Sequence, residues 1–227
     1  MTLLQLKLNE NLYIKDPQST ELGLKIIEKG IFMIDELGFE CFTFKKLSQE
    51  IDSTEASIYR YFENKHRLLV YLISWYWSWT EYRIIFDTHH LLNPKDKLLK
   101  ALEIITSKKE YDDTFPVVNE PALQRIVINE SDKAYLTKDV DEINKEGAFK
   151  GYKSLCAMIA NMVMDLNKDF PYPHALVSTV LETSHQQIFY SQHLPSLTEI
   201  KDAADPFTSN FEYVKTLMFN TIMGSHE

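Results

Sequence analysis

Two cysteines, six glycines and eight prolines are all that 227 residues hold of the types that staple or interrupt a chain. Cys41 and Cys156 are far apart and lack the short spacing of a metal site, so reduced core residues are expected rather than a bridge. So few breakers, beside abundant Leu, Ile, Lys and Glu, point to an all-α protein. No apolar run approaches the roughly 18 residues that a spanning helix needs. No signal-peptide pattern opens the chain, so the expected location is the cytoplasm, with no membrane partner. Gly-rich phosphate loops, Ser elbows and Cys/His nucleophile patterns are missing, which argues against an enzyme; a helical enzyme using His185 and nearby acids is the rival. The adjacent His89 and His90 lack the i, i+4 spacing of a helical metal pair, so neither metal nor cofactor is expected. Positive charge is also short. With 24 Lys and Arg against 33 Asp and Glu the net charge is −9, which excludes a general nucleic-acid coat and leaves room only for a small, locally basic face.

What is present is helical periodicity. Leu22, Ile26, Ile27, Gly30, Met33, Ile34 and Leu37 recur at three- and four-residue steps, with Ser19 or Thr20 able to cap the start and Gly38 the stop. Thr43 caps a second helix over Phe44 to Ile51. Asp52-Ser53 makes a tight turn, and Thr54 caps a short third helix. Asn64 caps a fourth that runs through Leu68, Leu69, Leu72, Trp75, Trp79 and Tyr82 to about Phe86. Further helices are predicted at about 95–109, 121–134, 138–167, 173–193 and 206–222, nine in total, with a loop over Asp112 to Asn119. Residues 1–17, with alternating Leu4, Leu6 and Leu8, read as a loosely held arm. The predicted organisation is arm 1–17, a helix-turn-helix head at 18–65, and a larger helical domain at 66–227.

Cations stand where acids normally belong. Lys45 and Lys46 follow the Thr43 cap, and Lys65, His66 and Arg67 follow the Asn64 cap. Opposing the helix dipole costs a few tenths to about 1 kcal/mol at each site. Aiming both ends at an external anion such as a phosphate backbone offsets that cost. In the stretch between them, "SIYRYFENK", Ile58 and Phe62 face a core, while Tyr59, Arg60 and Tyr61 are left for phosphates.

The run from Thr43 to Lys65, with Ile27, Phe32 and Gly38-Phe39 upstream, resembles the DNA-binding signature of the tetracycline-repressor (TetR) family of bacterial regulators. The resemblance covers about residues 19–70. It implies a homodimer, a pseudo-palindromic double-stranded DNA operator, and release by a small-molecule effector. It also implies phosphate contacts at Thr43, Tyr59, Tyr61 and Lys65, and base reading from Thr54, Glu55, Ala56 and Ser57. Two positions depart from the family pattern: Asp52 replaces a usual Gly, and Glu55 a usual Lys or small polar residue. Glu55 is suited to accept from a cytosine amino group, or simply to complement the dipole. Residues 15–83 carry nine Lys/Arg against eleven Asp/Glu, so non-specific affinity for DNA is expected to be weak.

The last two predicted helices have more apolar surface than one stripe needs; the resemblance implies that two subunits pair them as a four-helix contact, and a single domain core is the other use of that surface. An effector pocket among the middle helices draws on Trp75, Trp79, Tyr82, Phe149, Tyr152, Met158 and Met162, with His185 as a polar handle; plain core packing is the other use of such residues. The competing reading of the whole is a helical ligand- or protein-binding module that has lost DNA affinity.

Overall fold

The computed structural model describes residues 6–200 and 205–224, and every regular element among them is helical. Eleven α-helices are present: α1 (Glu21–Leu37), α2 (Phe44–Glu50), α3 (Glu55–Tyr59), α4 (Lys65–Thr88), α5 (Pro94–Thr106), α6 (Glu120–Glu130), α7 (Asp132–Tyr135), α8 (Val140–Lys145), α9 (Lys150–Leu166), α10 (Pro173–His193) and α11 (Pro206–Met223). The expected starts hold in detail. Thr20, Thr43 and Thr54 accept from the amides of Gly23, Lys46 and Ser57, and Asn64 accepts from that of Arg67 at 2.9 Å. Each bond satisfies one donor that the helix start would otherwise leave bare. Gly38 closes α1 at φ 74, its N–H bonded to the Ile34 carbonyl, and Asp52 takes φ 49 in the turn before α3.

The single helix expected over 138–167 is two. Gly147, at φ 82, ends α8, and the Ala148 amide returns to the Ile143 carbonyl at 3.2 Å. A left-handed backbone cannot continue a helix, so the chain turns there. The expected helix over 121–134 likewise divides into α6 and α7 around Ser131. Of the proposed arm, Leu4 lies outside the described residues. Leu8 and Leu12 are buried at 6% and 2% exposure, so this segment contributes to a core.

The chain forms two compact units. The first holds the residues up to Ser78 together with Lys109–Gly151. Its core gathers Ile26, Ile31 and Ile34 of α1, Phe42, Leu47 of α2, Ile58 of α3, and Phe62. Every residue of α4 from Leu68 to Trp77 is buried, so this stretch is enclosed on all sides rather than along one stripe. Two of its polar side chains find partners: Ser74 Oγ donates to the Ala148 carbonyl and Trp77 Nε1 to Tyr135 Oη. The second unit holds Trp79–Lys108 and the residues from Tyr152 onward. There α5, α10 and α11 pack on one another, burying Leu98, Leu102, Val180, Leu181, Val214 and Met218. Asn210 Nδ2 donates to the Ser184 carbonyl at 2.7 Å inside that packing.

Candidate nucleic-acid interface

The surface singled out by the sequence is built on α2 and α3. These helices pack together in the first unit, and α3 is only five residues long. Its one buried side chain is Ile58; burying an aliphatic of this size is worth about 1.5–3 kcal/mol. The pinned Ile58 leaves the rest of α3 turned outward. Thr54, Ala56, Tyr59 and Arg60 are exposed, and Glu55 and Ser57 half-exposed. Thr54 Oγ1 accepts from the Ser57 amide and lies 2.9 Å from Ser57 Oγ, which orders the first turn. The Tyr59 ring stands edge-on to Phe44 of α2, centroids 5.1 Å apart, while 48% of the residue stays exposed. Thr43, Lys45 and Lys46 are exposed at the start of α2. Lys46 Nζ donates back to the Cys41 carbonyl at 2.8 Å.

Two residues expected to face outward are turned in. Tyr61 is 3% exposed, and its hydroxyl shares a 2.7 Å hydrogen bond with Thr20 Oγ1. The cause is local: α3 has ended, and the Tyr61 amide closes a turn on the Ile58 carbonyl, which swings the ring inward. Its carbonyl accepts from the Ile14 amide at 2.8 Å, and Lys15 Nζ stands 5.3 Å from its ring centre. Lys65 Nζ donates to the carbonyls of Phe39, Glu40 and Phe42 at 2.9, 3.2 and 3.1 Å. It also lies 4.6 Å from the centre of the Phe39 ring. Carbonyls left bare where α1 ends and the chain turns are nearer to this ammonium than any external anion, so they claim it.

The other cations of the first turn of α4 are also engaged within the protein. His66 Nε2 lies 3.0 Å from the Lys133 carbonyl, and Arg67 Nη1 meets Glu146 Oε2 at 2.6 Å. The basic residues left exposed beside Tyr59 and the start of α3 are therefore Lys45, Arg60 and Lys46, the last tied through Nζ to the Cys41 carbonyl.

The same unit contains ties that the sequence reading did not anticipate. Glu130, 8% exposed, accepts from the Phe39 amide at 2.9 Å and pairs with Lys133 at 2.6 Å. Arg125 Nε and Nη2 grip the Asp35 carboxylate at 2.9 and 2.5 Å, and this contact raises the guanidinium pKa further. Both fasten α6 to α1 and its exit turn. Asn9 and Asn11 each donate through Nδ2 to the Glu146 carbonyl, and the polar run Asn9-Glu10-Asn11 is the sequence signal for that anchor.

The proposed pocket residues divide between the units. In the first, Trp75 stands edge-on to Phe115 and Phe149 tilts against Tyr135. In the second, Arg83 lies over Trp79, Tyr82 stacks on Phe86, and Tyr152 Oη donates to Glu182 at 2.7 Å. Met158 is half-buried, and Met162 and His185 are buried. Among the described residues no group of three or more His, Cys, Asp or Glu is placed to hold a metal ion. No described helix is long and apolar enough to cross a membrane.

Neither a family model nor a curated protein matches this chain. Among solved structures, the fatty acid degradation regulator FadR from Bacillus halodurans matches with a TM-score of 0.58 at 15% identity. The match covers 89% of this chain and 95% of that one. The likeness is one of fold.

Proposed function

We propose that this chain is a DNA-binding transcriptional regulator, a cytoplasmic homodimer of the TetR type that represses by occupying a palindromic operator until a small-molecule effector releases it. The observation that carries this reading is α3. It is pinned by Ile58 alone and presents Thr54, Glu55, Ala56 and Ser57 beside Tyr59, Arg60 and the Thr43-Lys45-Lys46 corner of α2. A short, outward, polar helix flanked by cations and hydroxyls fits reading from the major groove with phosphates gripped on either side. The fold likeness to a regulator supports the same reading. The head is residues 18–65, and residues 66–227 supply effector binding and dimerisation.

Pairing through α10 and α11 is supported by the apolar surface that α11 leaves open in one chain: Tyr213 is exposed, and Phe207, Phe211, Leu217 and Phe219 are half-buried. For release, α4 is the natural lever, because its 24 residues run unbroken from one unit into the other. An effector that prefers one placement of α4 shifts the population of heads able to bind.

Selection of bound duplexes from random DNA tests the function. It should enrich an inverted repeat whose half-sites lie about 34–36 Å apart, one turn of the duplex. Arg60→Ala should weaken all enriched sequences alike and lower the salt slope by about one. A selection that returns no repeat at low salt removes the function. The engaged cations of α4 favour a second reading, a helical binding module without DNA affinity, and that empty selection would be its support.

A further inference from the structure

A cleft of about 270 Å³ lies in the first unit, where the N-terminal segment crosses the α3–α4 connection, the start of α4 and the α8–α9 corner; it is lined by Asn11, Tyr13, Ile14, Glu63, Arg67 and Glu146 among others. The walls are fixed by backbone as much as by side chains. Asn9 and Asn11 both donate through Nδ2 to the Glu146 carbonyl, at 2.7 and 2.8 Å, and the Ile14 amide bonds to the Tyr61 carbonyl. A ligand entering here would meet backbone already held in place, with the exposed Glu63 and Ile14 side chains left to settle on it.

The chemistry of the lining is lopsided toward acceptors. The Glu63 and Glu146 carboxylates, with side chains 68% and 41% exposed, share one guanidinium, that of Arg67, whose side chain is only 17% exposed. Arg67 leans on Glu146, with Nη1 to Oε2 at 2.6 Å, and its Nε is 3.6 Å from Glu63 Oε2. Neither Arg67 Nη1 nor Glu146 Oε2 completes a directed hydrogen bond in that contact. Asn11, having given its Nδ2 to a carbonyl, keeps an amide oxygen as a third acceptor. The surrounding field has the same sign: burial first, then Asp16 and Glu10, push the Tyr13 phenol up. Lys15 is the nearby cation on the N-terminal segment, and its ammonium lies over the Tyr61 ring.

From this geometry we infer that the cleft is a binding site for a small organic cation, an amine or guanidine. Its charge is taken by Glu63 and Glu146, and its carbon chain lies against Tyr13 and Ile14, where an aromatic face adds cation–π attraction. The site is independent of the DNA-binding reading, and its test needs no DNA.

Agmatine, a four-carbon chain with an ammonium at one end and a guanidinium at the other, is the probe, titrated calorimetrically into the full chain at low ionic strength, where exposed charges are least screened. Saturable binding with a Kd of about 1 mM or tighter is expected. Glu63→Gln and Glu146→Gln should each weaken it about tenfold, with circular dichroism unchanged, and succinate should give no heat. Glu63 is the more exposed of the two, so its variant tests the site even if the Glu146 variant loosens the fold. Absence of saturable heat up to about ten times that concentration, an affinity in both variants equal to that of the parent chain, or tighter binding of succinate than of agmatine would each overturn the assignment.

Discussion

Replacing Lys65 by Met separates the two roles a basic residue at the start of α4 can have. The ammonium donates to three carbonyls at 2.9–3.2 Å. Two of these belong to Phe39 and Phe42, which are 6% and 0% exposed, and the third to the exposed Glu40. Hydrogen bonds to a charged donor contribute about 1.5–3 kcal/mol each when shielded. Lys65 is itself half-exposed and water replaces it readily at Glu40, so the two buried acceptors count at about 1–1.5 kcal/mol apiece. Methionine keeps the apolar stem against Phe39, so little packing is lost. The expected loss is therefore about 2–3 kcal/mol, or roughly 5–10 °C in Tm for a chain of this length. Urea titration should move the midpoint at constant slope, and the Phe42 amide, bonded to the Gly38 carbonyl at 3.2 Å, should exchange faster. A loss below about 0.5 kcal/mol with exchange unchanged would refute the reasoning. It would mean that the ammonium spends its time in solvent, where it is again available to a phosphate.

Tyr61→Phe removes only the bond to Thr20 and should cost about 1 kcal/mol in urea titration; a stability equal to the parent chain would place that hydroxyl in water. Gly147→Ala sets a side chain at φ 82, its Cβ 2.7 Å from Asn9 Nδ2, and should cost about 1–3 kcal/mol by thermal melting. An unchanged melt would mean the α8–α9 corner relaxes freely. Iodoacetamide at pH 8 should label Cys41 about tenfold faster than Cys156 by mass spectrometry. Cys41 is exposed, whereas burial pushes the half-buried Cys156 thiol up and so lowers its thiolate fraction at any pH below its pKa. Equal rates would contradict that burial.

The helix starts were legible because capping is a local matter: a Thr or Asn side chain meets an amide two or three residues on, whatever the rest of the chain does. Thr20, Thr43, Thr54 and Asn64 all follow that rule, and the left-handed backbone of Asp52 is an equally local choice. The α8–α9 break was written in Gly147, but the periodicity of the flanking residues outweighed one glycine, a common ambiguity. The directions of Tyr61, Lys65 and Arg67 were not legible. Each is decided by a partner 23 to 79 residues away in sequence, as in Lys65 with Phe42 and Arg67 with Glu146. Charge pattern alone gives a cation's place on the helix and says nothing of which distant acceptor is closer than solvent. The same limit hid the enclosure of α4, whose residues outside the expected stripe, Tyr71 and Trp77 among them, are also buried.

That enclosure has a consequence for how the chain is made. The walls around Leu68–Trp77 include residues from Lys109–Gly151, such as Ala148 against Ser74 and Tyr135 against Trp77. At about 5–20 residues per second, residues 79–151 take roughly 4–15 s to synthesise. Throughout that interval the nascent chain carries a ten-residue, aromatic-rich segment with part of its wall missing. A ribosome stalled shortly after Ser78 should thus hold a sticky, chaperone-bound intermediate, and one stalled well past Gly151 should not.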